Sequence, residues 1–192
     1  MAFFEDESEK PTFDRERFRE AILYVCSLVE NPRDISETKL HKILFYADRK
    51  AYLELGDAIT GASYIRHQFG PYSERLEGTL ELLEEEGSIA LKEFHNRSVD
   101  MESRTQTCPQ VTRGPNTDLF SEEELKILTG VARSIFPLDS EDVSEKSHDV
   151  VWRSTEEFEE IPYETAYLDA TEPDERDEVQ EWARQRAQEI DV

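Results

Sequence analysis

The sequence predicts a mainly α protein: about five helices and one small β-hairpin. Two observations carry this. Apolar residues recur at helical spacing in several separate stretches, and residues that start or stop helices punctuate those stretches. Only the region around residues 89–107 shows the weak alternation and turn signal of paired strands. With 192 residues, 37% of them hydrophobic and 10% aromatic, the chain fits one domain with appendages better than two complete domains.

Taken in order, residues 1–12 are charged and are expected to form a flexible acidic segment. Thr12 or Asp14 can cap a first helix in which Phe18, Ala21, Ile22, Val25, Cys26 and Val29 share a face, with Asn31-Pro32 as its stop. Next comes SETKLHKILFYADRKAYLELG. Ser36 can cap its start through a hydroxyl that accepts from a free first-turn N–H. Gly56 can end it in the left-handed conformation. Leu40, Ile43, Leu44, Ala47 and Ala51 make one apolar face, and Phe45, Tyr46, Tyr52 and Leu53 widen it. Such a helix is expected at the centre of the domain, with neighbours on more than one side.

Residues 57–63 read as a loop, followed by the extended run Tyr64–Phe69. Gly70-Pro71 breaks that run, and Pro71 suits the first position of a new helix, where a missing N–H costs nothing. That helix is expected to bury Leu76, Leu80 and Leu83, with Leu82 beside them. Glu74, Glu77, Glu81 and Glu84–Glu86 would form its solvated side, and Gly87 its stop. Ile89–Phe94 and Met101–Thr107 can pair around Asn96-Arg97, and Cys108–Thr117 reads as a Pro/Gly linker. Ser121 and Glu124 form a capping box ahead of the stripe Leu125, Leu128, Val131, Ala132 and Ile135, and Pro137 ends the helix. A shorter helix is expected from Ser140 through Trp152. Residues 169–192 form an acidic C-terminal extension. Its helix over 178–190 either packs back on the domain or serves as a docking tail.

Charge is the loudest compositional signal: 45 acidic against 22 basic residues give a net charge of −23. This surface repels phosphate backbones and disfavours nucleic acid as a partner. Three origins compete: a salt-adapted proteome, which arginine outnumbering lysine favours; an acidic face that steers a basic partner; and mimicry of DNA. The first ranks highest. No run approaches the roughly 18 apolar residues of a membrane helix, and the N-terminus lacks a secretory pattern, so a cytoplasmic protein is expected.

Catalytic patterns are missing. The four histidines show no metal-ligand spacing, and two cysteines make neither a zinc site nor a disulfide framework. No nucleophile elbow or phosphate-cradling loop occurs. No enzyme activity and no cofactor is expected. Lys39 and Lys42 read first as a solvated helix edge pairing with nearby glutamates, and second as a basic spot near a partner surface.

Three segments resemble a known family. Lys39-Leu40-x-Lys42-Ile43-Leu44-Phe45-Tyr46-Ala47, followed by Gly56 and Phe69-Gly70-Pro71, is similar to the Panacea domain of SocA-like antitoxins. Val143-Ser144-x-x-Ser147-His148-x-x-x-Trp152 resembles a second signature of that family, with a slightly different His-to-Trp spacing. Ile161-Pro162-Tyr163 resembles its closing tripeptide. The resemblance spans roughly residues 18–168 and implies a SocA/Panacea-like domain over 13–168. Lys39, Leu40, Lys42, Leu44, Gly56, His148, Trp152 and Pro162 would be its structural signature positions. It further implies a non-catalytic antitoxin that binds and neutralises a toxin encoded nearby. Such proteins mask the toxin, or act as adaptors that hand it to a protease such as ClpXP.

The Phe-Gly-Pro-Tyr corner is rigid and flanked by aromatics, which suits an interface. Tyr46, Tyr52, Phe69, Gly70, Pro71 and Tyr72 are therefore the candidate partner-binding residues, with Tyr72 expected to be dispensable for stability. Three helices followed by a hairpin is also the order of a winged helix, so a DNA-binding regulator is the alternative.

Overall fold

The computed structural model describes residues 10–97 and 103–167. Most of the N-terminal segment 1–12 and the extension 169–192, with its expected helix, lie outside them. The architecture is mainly α with two small antiparallel sheets.

Helix α1 (Arg15–Ser27) starts at Asp14, whose carboxylate accepts from the amides of Glu16 and Arg17. It ends ahead of Asn31-Pro32, which open a separate 3-10 turn over Pro32–Asp34. Helix α2 (Glu37–Leu55) has the expected caps. Ser36 Oγ accepts from the Lys39 amide at 3.2 Å, and Gly56 adopts φ 84°. Nearly every side chain from Lys39 to Tyr52 is buried, so α2 is indeed the central helix. Leu40, Ile43, Leu44, Phe45, Ala47 and Ala51 reach 1% exposure or less and anchor the core.

After a loop come β1 (Ile65–His67) and β2 (Gly70–Tyr72), paired antiparallel with His67 opposite Gly70 and Ile65 opposite Tyr72. Pro71 therefore does not open a helix; α3 (Arg75–Glu85) begins four residues later. The reason is where the backbone polar groups go. The Pro71 carbonyl accepts from Lys42 Nζ at 3.1 Å, and the Ser73 amide donates to His41 Nδ1 at 3.1 Å. Side chains of α2 thus satisfy groups that a helical ladder would otherwise take.

Leu76, Leu80 and Leu83 of α3 face the core as expected. The long hairpin β3 (Ile89–Arg97) and β4 (Ser103–Val111) follows. β4 absorbs the start of the expected linker, with Cys108 buried opposite Lys92 and Pro109 opposite Leu91. A two-stranded sheet tolerates this proline because each strand has an outer edge. Helix α4 (Glu122–Ile135) carries the reciprocal capping box: Ser121 Oγ accepts from the Glu124 amide, and the Glu124 carboxylate accepts from the Ser121 amide at 2.7 Å. The expected helix over 140–152 is instead two: α5 (Ser140–Lys146) and α6 (Val150–Ser154). Asp149 separates them by capping α6 through the Trp152 amide at 2.8 Å.

Candidate functional site

The signatures, far apart in sequence, converge on the small β1–β2 corner. From α2, Lys42 reaches the Pro71 carbonyl, and His41 both accepts from Ser73 and stacks on Tyr72 with ring centroids 4.2 Å apart. From the C-terminal side, Trp152 Nε1 donates to the His67 carbonyl at 3.2 Å, and His148 stacks on Trp152 at 3.8 Å. The Arg66 guanidinium lies 4.2 Å over the Trp152 ring. Gly70 sits at φ 95° with Ser147 and Lys42 directly against its Cα. The corner is thus gripped from both sides.

The two lysines overturn the solvated-edge reading: Lys39 is 5% exposed and Lys42 2%. Lys39 Nζ donates to the carbonyls of Asp34 and Phe136, at 2.9 and 2.8 Å. Phe136 is the C-terminal cap of α4, so the ammonium sits on one of that helix's free carbonyls. A long aliphatic stem can cross a core while its amine finds backbone acceptors. Sequence alone showed only spacing, which puts both lysines near the apolar face without saying what lies beyond it.

Burial pushes the Lys42 ammonium down to about 7, and pushes His41 down to about 3 with help from the neighbouring Lys42 and His67 charges. Both groups hold fewer protons folded than unfolded, so stability rises with pH between the folded and unfolded values. For His41 that window runs from about pH 3 to 6.5, and for Lys42 from about 7 to 10.5. Burial pushes the Cys108 thiol up to about 11, so it opposes the trend above pH 9. The melting temperature is therefore expected to keep climbing from pH 7 to 9, where carboxylates no longer titrate. Thermal melts across that range check this, and Lys42→Met should flatten the climb. An equally steep climb in the variant would refute the assignment to Lys42.

A second polar hub, which the sequence reading missed, lies further along α2. Asp48 is fully buried and accepts from the Thr60 amide (2.7 Å), Thr60 Oγ1 (2.5 Å), Tyr64 OH (2.7 Å) and Tyr163 OH (3.3 Å). Burial raises its pKa, and these hydrogen bonds oppose the rise. The next residue, Arg49, donates to the Pro162 carbonyl and Thr165 Oγ1. The Ile161-Pro162-Tyr163 segment is therefore held to α2 by an aspartate and an arginine. An Asp-Arg pair inside an otherwise apolar helix face was the signal available in the sequence.

The candidate contact residues divide. Tyr52 is 4% exposed and packs against Tyr163 and Tyr167, so it offers no surface to a partner. Gly70 and Pro71 are buried, and Tyr46 is half-buried beside Phe45. Tyr72 is half-buried under its stack with His41, which makes it part of the packing rather than dispensable. Phe69 alone is widely exposed, at 57%.

The arrangement is poor in chemistry. Ser73 gives His41 its amide rather than its hydroxyl, and Ser147 Oγ donates to the Ser144 carbonyl. Neither serine is thereby paired with a histidine base in the way nucleophilic catalysis requires. Among the described residues no group of His, Cys, Asp or Glu is arranged to hold a metal ion, and no helix is long and apolar enough to cross a membrane.

What the corner defines is a mainly α domain whose signature residues lock a two-stranded turn against its central helix. Over residues 40–153, more than half of the chain, the sequence matches the family described as antitoxin SocA-like, Panacea domain, and the protein belongs to that family. Neither the curated proteins nor the solved structures contain a match.

Proposed function

We propose that this protein is an antitoxin that binds a toxin encoded beside it and neutralises it by direct protein–protein contact. The observation that carries the reading is the match to the SocA-like antitoxin family across the segment whose signatures grip the β1–β2 corner. Occupation of a rigid surface costs little ordering entropy, which suits a protein whose activity is binding. The winged-helix alternative gains nothing from the structure. The helix before the hairpin, α3, exposes Glu77, Glu81, Glu84 and Glu85, and a recognition helix needs the opposite charge.

The test is co-expression. The adjacent reading frame expressed alone should arrest growth, and this protein supplied in trans should restore it. Toxin that persists at an unchanged level in rescued cells indicates masking; toxin that disappears indicates delivery to a protease. A neighbour that is harmless alone, or arrest that this protein does not relieve, would sink the reading.

A further inference from the structure

Most of the large apolar side chains are buried, but Phe69 (57% exposed) and Phe158 (63%) are not, and both lie against the same imidazole. Their ring centroids are 6.3 and 6.0 Å from that of His67. Residues 158–161 run beside β1. The Phe158 amide donates to the Arg66 carbonyl, Arg66 returns a bond to the Glu159 carbonyl, and the Ile161 amide donates to the Tyr64 carbonyl. Phe158 therefore stands at the edge of the corner that the family signatures hold in place.

Its backbone is unusual. Phe158 has φ 69°, the only positive value at a non-glycine position among the described residues. An L-residue in this conformation carries a steric cost that glycine does not, because its Cβ crowds the following carbonyl oxygen. Folding recovers little of that cost through a ring left mostly in water. A strained residue with an exposed aromatic side chain is poorly explained by the fold and well explained by contact with another molecule.

The flanking charges indicate which molecule. Glu156, Glu157, Glu159 and Glu160 surround Phe158 in sequence, and all four are exposed. The nearby Arg66 is half-buried and donates to the Thr155 carbonyl, and the exposed cations of this region are Arg153 and Lys10, the latter paired with Glu160 at the end of the rim. An aromatic centre with a carboxylate rim, on a protein of net charge −23, complements a cationic protein surface.

We infer that Phe69 and Phe158, the two exposed rings against His67, form the docking surface for the toxin, and that the toxin is a basic protein which lays an apolar side chain on this surface with lysine or arginine beside it. This rests on the antitoxin reading and deepens it. It keeps Phe69 from the sequence candidates, leaves out Tyr46 and Tyr52, and adds Phe158, which was not among them.

The experiment compares Phe158→Gly, Phe69→Ser and Leu55→Ala with the wild type, using the tagged product of the adjacent reading frame as probe. Leu55 is exposed but belongs to the C-terminal end of α2. Phe158→Gly should melt at or above the wild-type temperature, because glycine accepts φ 69° freely, yet bind the probe at least tenfold more weakly. Phe69→Ser should weaken binding similarly, and Leu55→Ala should not. Glu157→Gln should slow association at low salt, with the difference fading as salt rises. Wild-type affinity in both phenylalanine variants would overturn the docking surface and leave the antitoxin reading standing. A Phe158→Gly protein that melts well below wild type would show that the ring holds the fold, and would also overturn it. A wild-type protein that does not bind the probe would remove the antitoxin reading and this inference together.

Discussion

Asp48→Ala is expected to lower the melting temperature by roughly 10 °C. The carboxylate is fully buried and collects four hydrogen bonds from Thr60, Tyr64 and Tyr163, whose exposures are 1%, 1% and 4%. Alanine removes the acceptor these donors share in a dry interior. An unsatisfied buried group costs about 1–3 kcal/mol, and breaking such a network by removing its central partner typically costs about 3–5 kcal/mol. Tyr163 OH also donates to the Ala62 carbonyl at 2.7 Å, which keeps one of the orphans partly satisfied and argues for the lower half of that range. Against a total stability of about 5–15 kcal/mol this is a large fraction. It corresponds to a fall in melting temperature of roughly 10 °C for a chain of this size. Circular dichroism melts would check it, with Asp48→Asn expected between the two because one amide oxygen still accepts. A midpoint within 2 °C of wild type for the alanine variant would mean that the hub contributes little.

Gly70→Ala is expected to disrupt the corner itself. Two costs add there. At φ 95° any side chain is strained, and the new Cβ would overlap Ser147 Oγ and come within 2.9 Å of Lys42 Cε. Neither neighbour can move aside easily. Ser147 is fully buried with its hydroxyl bonded to Ser144, and Lys42 is held by the Pro71 carbonyl. Overpacking of this kind costs about 1–3 kcal/mol, with about 1–2 kcal/mol more for the backbone. Gly56→Ala is the natural comparison. Its φ is 84°, but nothing lies within 4 Å of the added carbon, so only the backbone cost applies. Gly70→Ala should therefore melt clearly below Gly56→Ala and, under the proposed antitoxin function, lose neutralisation at temperatures where it remains folded. Equal melting temperatures for the two would show that the close approach at Gly70 is of no consequence.

Local signals accounted for much of the architecture. Ser36, Ser121 and Glu124 cap their helices through their side chains and Gly56 through its freedom to turn left-handed, because a cap is a contact between residues three or four apart. The apolar faces read for α1 and α3, and the first apolar stripe of α2, are buried as the 3.6-residue period of their residues requires. The family signatures were legible because they are written in short runs of chain, even where, as in Val143–Trp152, the run crosses from one helix to the next.

What escaped was everything decided across elements. Pro71 is as good a helix opener as a strand residue. The choice fell to the strand because Lys42 and His41 come from α2 to satisfy the backbone around it. Lys39 and Lys42 look like surface charges until carbonyls from distant segments are found waiting for them. Tyr52 and Asp48 lie on a helix whose side opposite the first stripe is also covered, so periodicity could not tell contact surface from core. Phe158 sits in a glutamate-rich stretch that reads as a solvated loop. Only its pairing with Arg66, a residue far away in sequence, brings it to the corner and sets the ring against His67. Helix ends and faces are settled within a few residues of chain, whereas the partners of a buried charge or a strained turn come from segments that meet only when the chain folds.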